Sequence, residues 1–308
     1  LQFWKDGAFW WNTTTDVQGG FTWTDAPDEE ITLGVQAEGY AYKSDWRVRP
    51  GPDEQVVTLK GQVQVTGRVV DAANGSPIPA FTAIPGVFWG ASPAAYWLRY
   101  GSAAGKDGAF KLSLQQEGQR YQVRIEAPGY KPAVSKAFTE DEAGQPLEFA
   151  LERGQGPSGV VLGVDGRPLA DAKVLVGTPA QPAYLVDGRP QPQMSAAVAT
   201  GPDGRFTLMP ETDPYTLVAV DNTGVAQVSQ TEFEKNSEIR LHPWGRIEGA
   251  IRKGAAPVAD EQVFVITRES EPGRPAVSCF GQYATDSEGK FVAERVLPGE
   301  VMVSRQAR

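Results

Sequence analysis

Thr200-Gly201-Pro202-Asp203-Gly204-Arg205-Phe206 reads as a tight turn followed by the first core residue of a strand, and the chain contains it four times. The other copies are Thr15-Asp16-Val17-Gln18-Gly19-Gly20-Phe21, Gly105-Lys106-Asp107-Gly108-Ala109-Phe110 and Thr285-Asp286-Ser287-Glu288-Gly289-Lys290-Phe291. The glycine accepts positive φ and the neighbouring Asp bonds its own backbone, which closes a hairpin. The phenylalanine then points into a core. These four rings are 89, 96 and 85 residues apart, the size of a small β-sandwich rather than of a solenoid repeat. The repeat therefore overrides the two-domain prior that 308 residues suggest.

A second element precedes three of the turns. Val65-Thr66-Gly67-Arg68-Val69-Val70-Asp71 leads to Asn74-Gly75-Ser76-Pro77, Ser158-Gly159-Val160-Val161-Leu162 to Asp165-Gly166-Arg167-Pro168, and Arg246-Ile247-Glu248-Gly249-Ala250-Ile251 to Gly254-Ala255-Ala256-Pro257. Each reads as strand, turn, strand. Opening glycine and phenylalanine are 43, 47 and 42 residues apart. After the turns, period-two runs such as Tyr121-Gln122-Val123-Arg124-Ile125 read as half-buried strands. In the most regular unit seven strands are expected, at Val65 to Val70, Phe81 to Ile84, Tyr96 to Tyr100, Phe110 to Leu114, Tyr121 to Ala127, Ala133 to Phe138 and Leu147 to Leu151. Thr139 to Gly144 reads as one helical turn.

The expected fold is all-β, a tandem array of antiparallel seven-stranded transthyretin/immunoglobulin-like sandwiches. Its units are 1–61, partial and lacking opening strands; 62–154, complete; 155–243, complete; and 244–308, partial and lacking closing strands. The truncated end units predict an internal stretch of a longer polypeptide. Brief connectors, two with a proline, predict a stiff string of beads.

Composition narrows the function. With 34 Gly, 24 Pro and 41% hydrophobic residues, the chain has frequent turns and enough apolar material for packed cores. A net charge of −9 repels phosphate backbones and anionic lipid, so nucleic acid is not an expected partner. No run approaches the roughly 18 apolar residues of a membrane span, and Leu1 to Asp6 lack a signal peptide's basic start. One cysteine, Cys279, allows no intrachain disulfide, and one histidine, His242, removes every motif that needs two.

Gly67 to Pro79, the turn Lys106-Asp107-Gly108-Ala109-Phe110, and the strand end Ile125-Glu126-Ala127-Pro128-Gly129-Tyr130 resemble the carboxypeptidase regulatory-like domain. Four tandem copies cover most of the chain, and the central two, with Gly156-Pro157-Ser158-Gly159-Val160-Val161-Leu162 and Thr216-Leu217-Val218-Ala219-Val220-Asp221, look like the arrays of large planctomycete-type bacterial proteins. The resemblance implies a transthyretin-like sandwich, accessory to a separate peptidase domain in metallocarboxypeptidases and found elsewhere in surface proteins and glycan-processing systems. It carries over no catalytic residue. It implies an extracytoplasmic place, in the cell envelope or secreted, with the cytoplasm left open.

His242 supplies one ligand where zinc takes four and reads as a junction residue. Cys279, flanked by Ser278 and Phe280, reads as a buried strand residue. The pairs Asp6-Gly7, Asp107-Gly108, Asp165-Gly166, Asp187-Gly188 and Asp203-Gly204 lack calcium-loop spacing and read as hairpin turns. The clusters Asp28-Glu29-Glu30 and Glu140-Asp141-Glu142 read as solvated loops. No catalytic residue, metal or cofactor is expected. The aromatic distribution is skewed, with seven of eight tryptophans in the first 100 residues. Trp89, Trp97, Tyr96, Phe88, Tyr100, Trp10, Trp11 and Trp46 are therefore the candidate binding residues, with contact between domains as the alternative. The insertion Gly86 to Tyr100 reads mostly as loop, hence surface.

The first functional reading is a non-catalytic structural or scaffold region of a larger bacterial surface or envelope protein. The alternatives are a carbohydrate- or protein-binding module using the aromatic N-terminal half, and an accessory region of an enzyme whose catalytic domain lies elsewhere. Expected partners are a protein or polysaccharide surface, with no membrane insertion by this chain; the oligomeric state stays open.

Overall fold

The computed structural model describes residues 2–5, 9–88, 94–118, 120–269 and 275–305. These residues are nearly all β, and the one α-helix among them is Gln230–Lys235. That helix starts at a capping box in which the Ser229 hydroxyl accepts from the Glu232 N–H while the Glu232 carboxylate reaches back to Ser229. The Thr139–Gly144 turn is a 3₁₀ turn at Glu140–Glu142 with the same box, built by Thr139 and Glu142.

Residues 63–151 form one continuous sheet. Its order is Ala133–Val134, Arg120–Glu126, Ala80–Phe88, Ala103–Lys106, Ala109–Leu114, Val63–Asp71, Leu147–Leu151, and Tyr96–Trp97 adds to Ala80–Phe88. Neighbours are antiparallel except the last pair, which is parallel. Residues 158–243 repeat this succession as two sheets. One runs Arg205–Thr207, Ser158–Leu162, Glu238–Arg240, again with one parallel pair; the other runs Ala197–Ala199, Lys173–Gly177, Thr216–Val220, Gly224–Ser229, His242–Pro243. Each region encloses its own core, Val65, Val69, Phe110, Val123 and Phe149 in the first, Val161, Val174, Phe206, Leu217 and Ile239 in the second.

The repeated spacing has a direct physical cause. Gly67 sits opposite Phe110, Gly159 opposite Phe206 and Gly249 opposite Phe291 in the strand register. A Cβ on these glycines has no room: Phe291 fills the place at Gly249, Phe110 and the Leu147 carbonyl at Gly67, and the Ser237 carbonyl with Phe233 beside it at Gly159. The turn glycines are equally constrained. Gly108, Gly204 and Gly289 have φ of 76°, 74° and 74°, and a Cβ there would press on Pro77, Pro168 and Pro257 respectively. At Gly204 and Gly289 the Val161 and Ile251 carbonyls of the opening strand stand closer still, so the glycine of the repeated turn meets both the strand and the proline of the upstream element in one corner. Two buried threonines brace the same corner, because the Thr200 and Thr285 hydroxyls donate to the Leu169 and Val258 carbonyls and accept from the Ala172 and Glu261 amides.

The N-terminal region departs from this pattern. Its sheet runs Phe9–Asn12, Gln2–Lys5, Ile31–Val35, Lys43–Val48, and its small core of Ile31 and Leu33 is covered by Phe21, Trp23, Trp46 and Val48. Phe110, Phe206 and Phe291 are buried, whereas Phe21 is only half-buried. No strand occupies residues 13–30, and a Cβ on Gly19 would meet nothing within 4 Å.

Four strand readings need correction, the first being Ala133 to Phe138, which is strand only at Ala133–Val134, with Phe138 joined to Tyr121 by an isolated bridge. Ala80–Phe88 runs four residues beyond Ile84, because Gly86, Val87 and Phe88 pair with Gln122, Tyr121 and Arg120. Tyr96 to Tyr100 is a two-residue strand followed by a 3₁₀ turn at Arg99–Gly101. Ala103–Lys106 is a strand that its Ala-Ala-Gly-Lys sequence did not announce; Gly105 is required there because the Phe81 ring fills the Cβ position.

Candidate functional site: a tyrosine-lined cleft and two seams

A cleft of about 1360 Å³ opens where the N-terminal region meets residues 63–151. The contact is made by main chain: the Ala41 amide donates to Lys60 O, Tyr42 N to Gln115 O, and Glu117 N to Tyr42 O. This places Tyr42 in the seam itself. Its ring lies against Gly34, where any Cβ would collide with the phenol. Tyr40 bridges to Gly61, and Gln62 Nε2 donates to the Tyr40 carbonyl at 3.4 Å. From the other wall, Tyr100 stands at the 3₁₀ turn, and its hydroxyl accepts from Gln116 Nε2 at 3.1 Å. Tyr40 and Tyr100 are 47% and 48% exposed, so both rings offer a free face. Burial of its other side raises the Tyr100 phenol, against the lowering effect of Gln116.

The lining mixes polar side chains with Val35, Ala37, Val57 and Leu59 and is almost uncharged. Asn12, Gln36, Gln62, Gln115 and Gln116 supply amides, Thr13, Thr14 and Thr15 supply hydroxyls, and Glu38 is the one ionised side chain among the lining residues. The nearby cations turn elsewhere: Lys43 pairs with Glu117 at 3.2 Å and Lys60 with Glu140 at 3.1 Å.

Of the aromatic residues expected from sequence to form a binding face across the Lys60 to Gln64 junction, Tyr100, Tyr40 and Tyr42 line this cleft. Phe88 is a correction: it is 6% exposed, in strand, beneath the Arg120 guanidinium at 4.5 Å. Trp97 is half-buried, its ring on Gly86, and Trp46 is half-buried over Leu33. Neither presents a free aromatic face of the kind expected. Tyr96 is 50% exposed, opposite Val87. Trp10 and Trp11 sit in strand opposite Trp4 and Phe3. Trp89 and Asp6-Gly7 lie outside the described residues.

Two further seams went unread in the sequence. At the first, Arg124, 4% exposed, donates to Glu126 at 2.8 Å and to Glu211 at 2.6 Å, 87 residues away across the boundary. Asp213 adds an ion pair at 3.6 Å, and Arg99 grips both oxygens of Glu126 at 2.7 and 2.9 Å. Burial alone would lower the Arg124 guanidinium; Glu211 and Glu126 outweigh it and hold the group above its usual value.

At the second seam a strand changes sheet. Ala183–Val186 pairs in parallel with Val277–Ala284, within the sheet Arg189–Pro190, Ala183–Val186, Val277–Ala284, Gln262–Glu269, Val301–Arg305. The beads are therefore not separate here. Leu175, Leu185, Val218 and Val225 from one side and Val277, Cys279 and Leu297 from the other form a single buried cluster, with Trp244 packed on it. Gly177 has the Ala276 carbonyl where its Cβ would be. Cys279 is 4% exposed in this cluster, and burial raises its thiol. His242 is exposed, in a two-residue pairing with Gly224–Ser229.

No protein-family model matches the chain, and no curated protein sequence matches it. Among solved structures it is similar to the shaft pilin SpaA of Lactobacillus rhamnosus GG, at 10% identity over 60% of this chain and 98% of that one, with a TM-score of 0.23. It is similar also to the Bacillus anthracis TIE protein, at 14% identity over 91% and 52% of the two chains with a TM-score of 0.22. A third likeness is to a streptococcal ancillary pilin, at 12% identity over 71% and 76% with a TM-score of 0.19. Superpositions this loose carry no functional argument. No helix among the described residues is long and apolar enough to cross a membrane.

Proposed function

We propose that this chain is a non-catalytic scaffold region of a bacterial surface or envelope protein, a tandem series of transthyretin-like, seven-stranded sandwiches of the carboxypeptidase regulatory-like kind. The observation that carries the scaffold reading is the second seam, where Ala183–Val186 lies in its neighbour's sheet over a shared core. A chain built only to tether would gain nothing from ordering a strand across a boundary, since that order costs about 1–2 kcal/mol of backbone entropy per residue. A chain that must hold its length and resist bending gains stiffness from it. The ionic seam around Arg124 acts in the same sense one boundary earlier. The sandwich assignment is supported by the strand succession common to residues 63–151 and 158–243, including the single parallel pair in each.

Pulling the full chain from its two ends in a single-molecule force experiment tests the scaffold reading. Residues 158–305 are expected to yield in one step, after the N-terminal region has opened. Separate low-force steps on either side of Trp244 would overturn it.

A further inference from the structure

We infer that the cleft between the N-terminal region and residues 63–151 binds a neutral oligosaccharide, with Tyr40 and Tyr100 as stacking platforms. The inference does not depend on the scaffold reading, which rests on the opposite end of the chain.

Four observations carry it. First, the cleft's about 1360 Å³ exceeds the roughly 300–1,000 Å³ of an ordinary small-ligand pocket, so it suits an extended oligomer rather than one small molecule. Second, two exposed tyrosines line it, one from each region, and a flat phenol offers an apolar face to sugar C–H groups while its hydroxyl bonds sugar hydroxyls. Third, apart from Glu38 the other polar side chains of the lining are amides and hydroxyls, which both donate and accept as a ligand made of hydroxyls requires, and Val35, Ala37, Val57 and Leu59 stand among them for its C–H faces. Fourth, the charge pattern excludes the competing chemistries. No Lys or Arg is among the described residues that line the cleft to neutralise a phosphate, sulfate or uronate, and Glu38 repels them.

The cleft is held open by the fold. Tyr42 is stitched to Gln115 and Glu117 through main chain and seated on Gly34, which fixes the floor. Gln116 holds the Tyr100 hydroxyl and so sets the angle of that ring. A ligand would find the Tyr100 ring positioned before it arrives, which reduces the ordering cost of binding.

The test is isothermal titration of the full chain with cello-, chito-, manno- and xylotetraose, with tetragalacturonate as the anionic control. At least one neutral tetraose is expected to bind. Tyr40→Ala and Tyr100→Ala, both at exposed positions, are each expected to weaken it at least about tenfold (about 1.4 kcal/mol) while leaving circular dichroism and melting unchanged. Gln116→Ala, which frees the Tyr100 ring without removing it, is expected to weaken binding about threefold. Silence with every tetraose, binding of tetragalacturonate alone, or binding untouched by both tyrosine variants would overturn the assignment.

Discussion

The segment after the second strand of each central region takes two different courses. In residues 63–151 it turns back, and Tyr96–Trp97 pairs with its own Ala80–Phe88 strand. In the next region the parent strand, Lys173–Gly177, is shorter, and the following Ala183–Val186 strand leaves for the neighbour's sheet. Small residues decide the outcome. Gly86 makes room for the Trp97 ring, which keeps that segment at home; Gly177 makes room for the Ala276 main chain, which brings the neighbour in. Identical framework turns therefore coexist with opposite edges, and the edge determines whether two units behave as one.

The ionic seam offers the largest effect against which to measure this contrast. Arg124→Ala leaves Glu211 as a buried carboxylate without its cation and Glu126 with Arg99 alone, and is expected to cost about 3–5 kcal/mol in denaturant unfolding of residues 63–240. Lys60→Ala, which breaks an exposed pair with Glu140, is expected to cost about 1 kcal/mol or less. Equal losses would mean that the buried network does not join the two regions.

The apolar seam comes next. Leu185 is fully buried and paired with Cys279, so Leu185→Ala is expected to cost about 2–5 kcal/mol and to lower the melting of both C-terminal regions together. Trp97→Ala, at the half-buried counterpart, is expected to affect residues 63–151 alone. A Leu185→Ala protein in which residues 245–305 melt unchanged would contradict a shared core.

Glycine substitutions separate framework from edge at smaller cost. Gly19→Ala carries only the penalty of positive φ, about 1–2 kcal/mol. Gly204→Ala adds a collision with Val161 O and Leu169 N, so it is expected to cost clearly more. Chemical denaturation of the two variants side by side decides it.

The smallest effect is a pH dependence. Burial, then the charge of Asp187, pushes the Tyr283 phenol up to about 12. An unfolded tyrosine ionises near 10. The folded chain thus retains a proton that the unfolded chain gives up, and stability falls as pH rises from about 10 to about 12. Tyr283→Phe is expected to flatten that part of the profile; an unchanged slope would place the titration elsewhere.

The framework was legible in sequence because it is local. Gly67 and Phe110 advertise their pairing through a spacing that recurs, and Pro77, Pro168 and Pro257 follow each opening strand at similar distances. What joins the units left no such trace. Arg124 looks like the polar member of an alternating strand, and its partner Glu211 is 87 residues away in a loop with no repeat. Ala183 to Val186 is four residues of unremarkable strand, with nothing in it to name a sheet. Of the candidate site the N-terminal aromatic excess was legible, but Trp23 and Trp46 pack over Ile31 and Leu33, and the more exposed rings are those of Tyr40, Tyr96 and Tyr100.

Native-state hydrogen exchange of the full chain, followed by mass spectrometry through rising denaturant, tests the shared core most directly. Amides of Ala183–Val186, Thr216–Val220 and Val277–Ala284 should lose protection at one common midpoint, above that of Ile31–Val35, whose small sheet opens first. Loss of protection in Val277–Ala284 at a midpoint of its own, with Thr216–Val220 still protected, would show that these units fold independently.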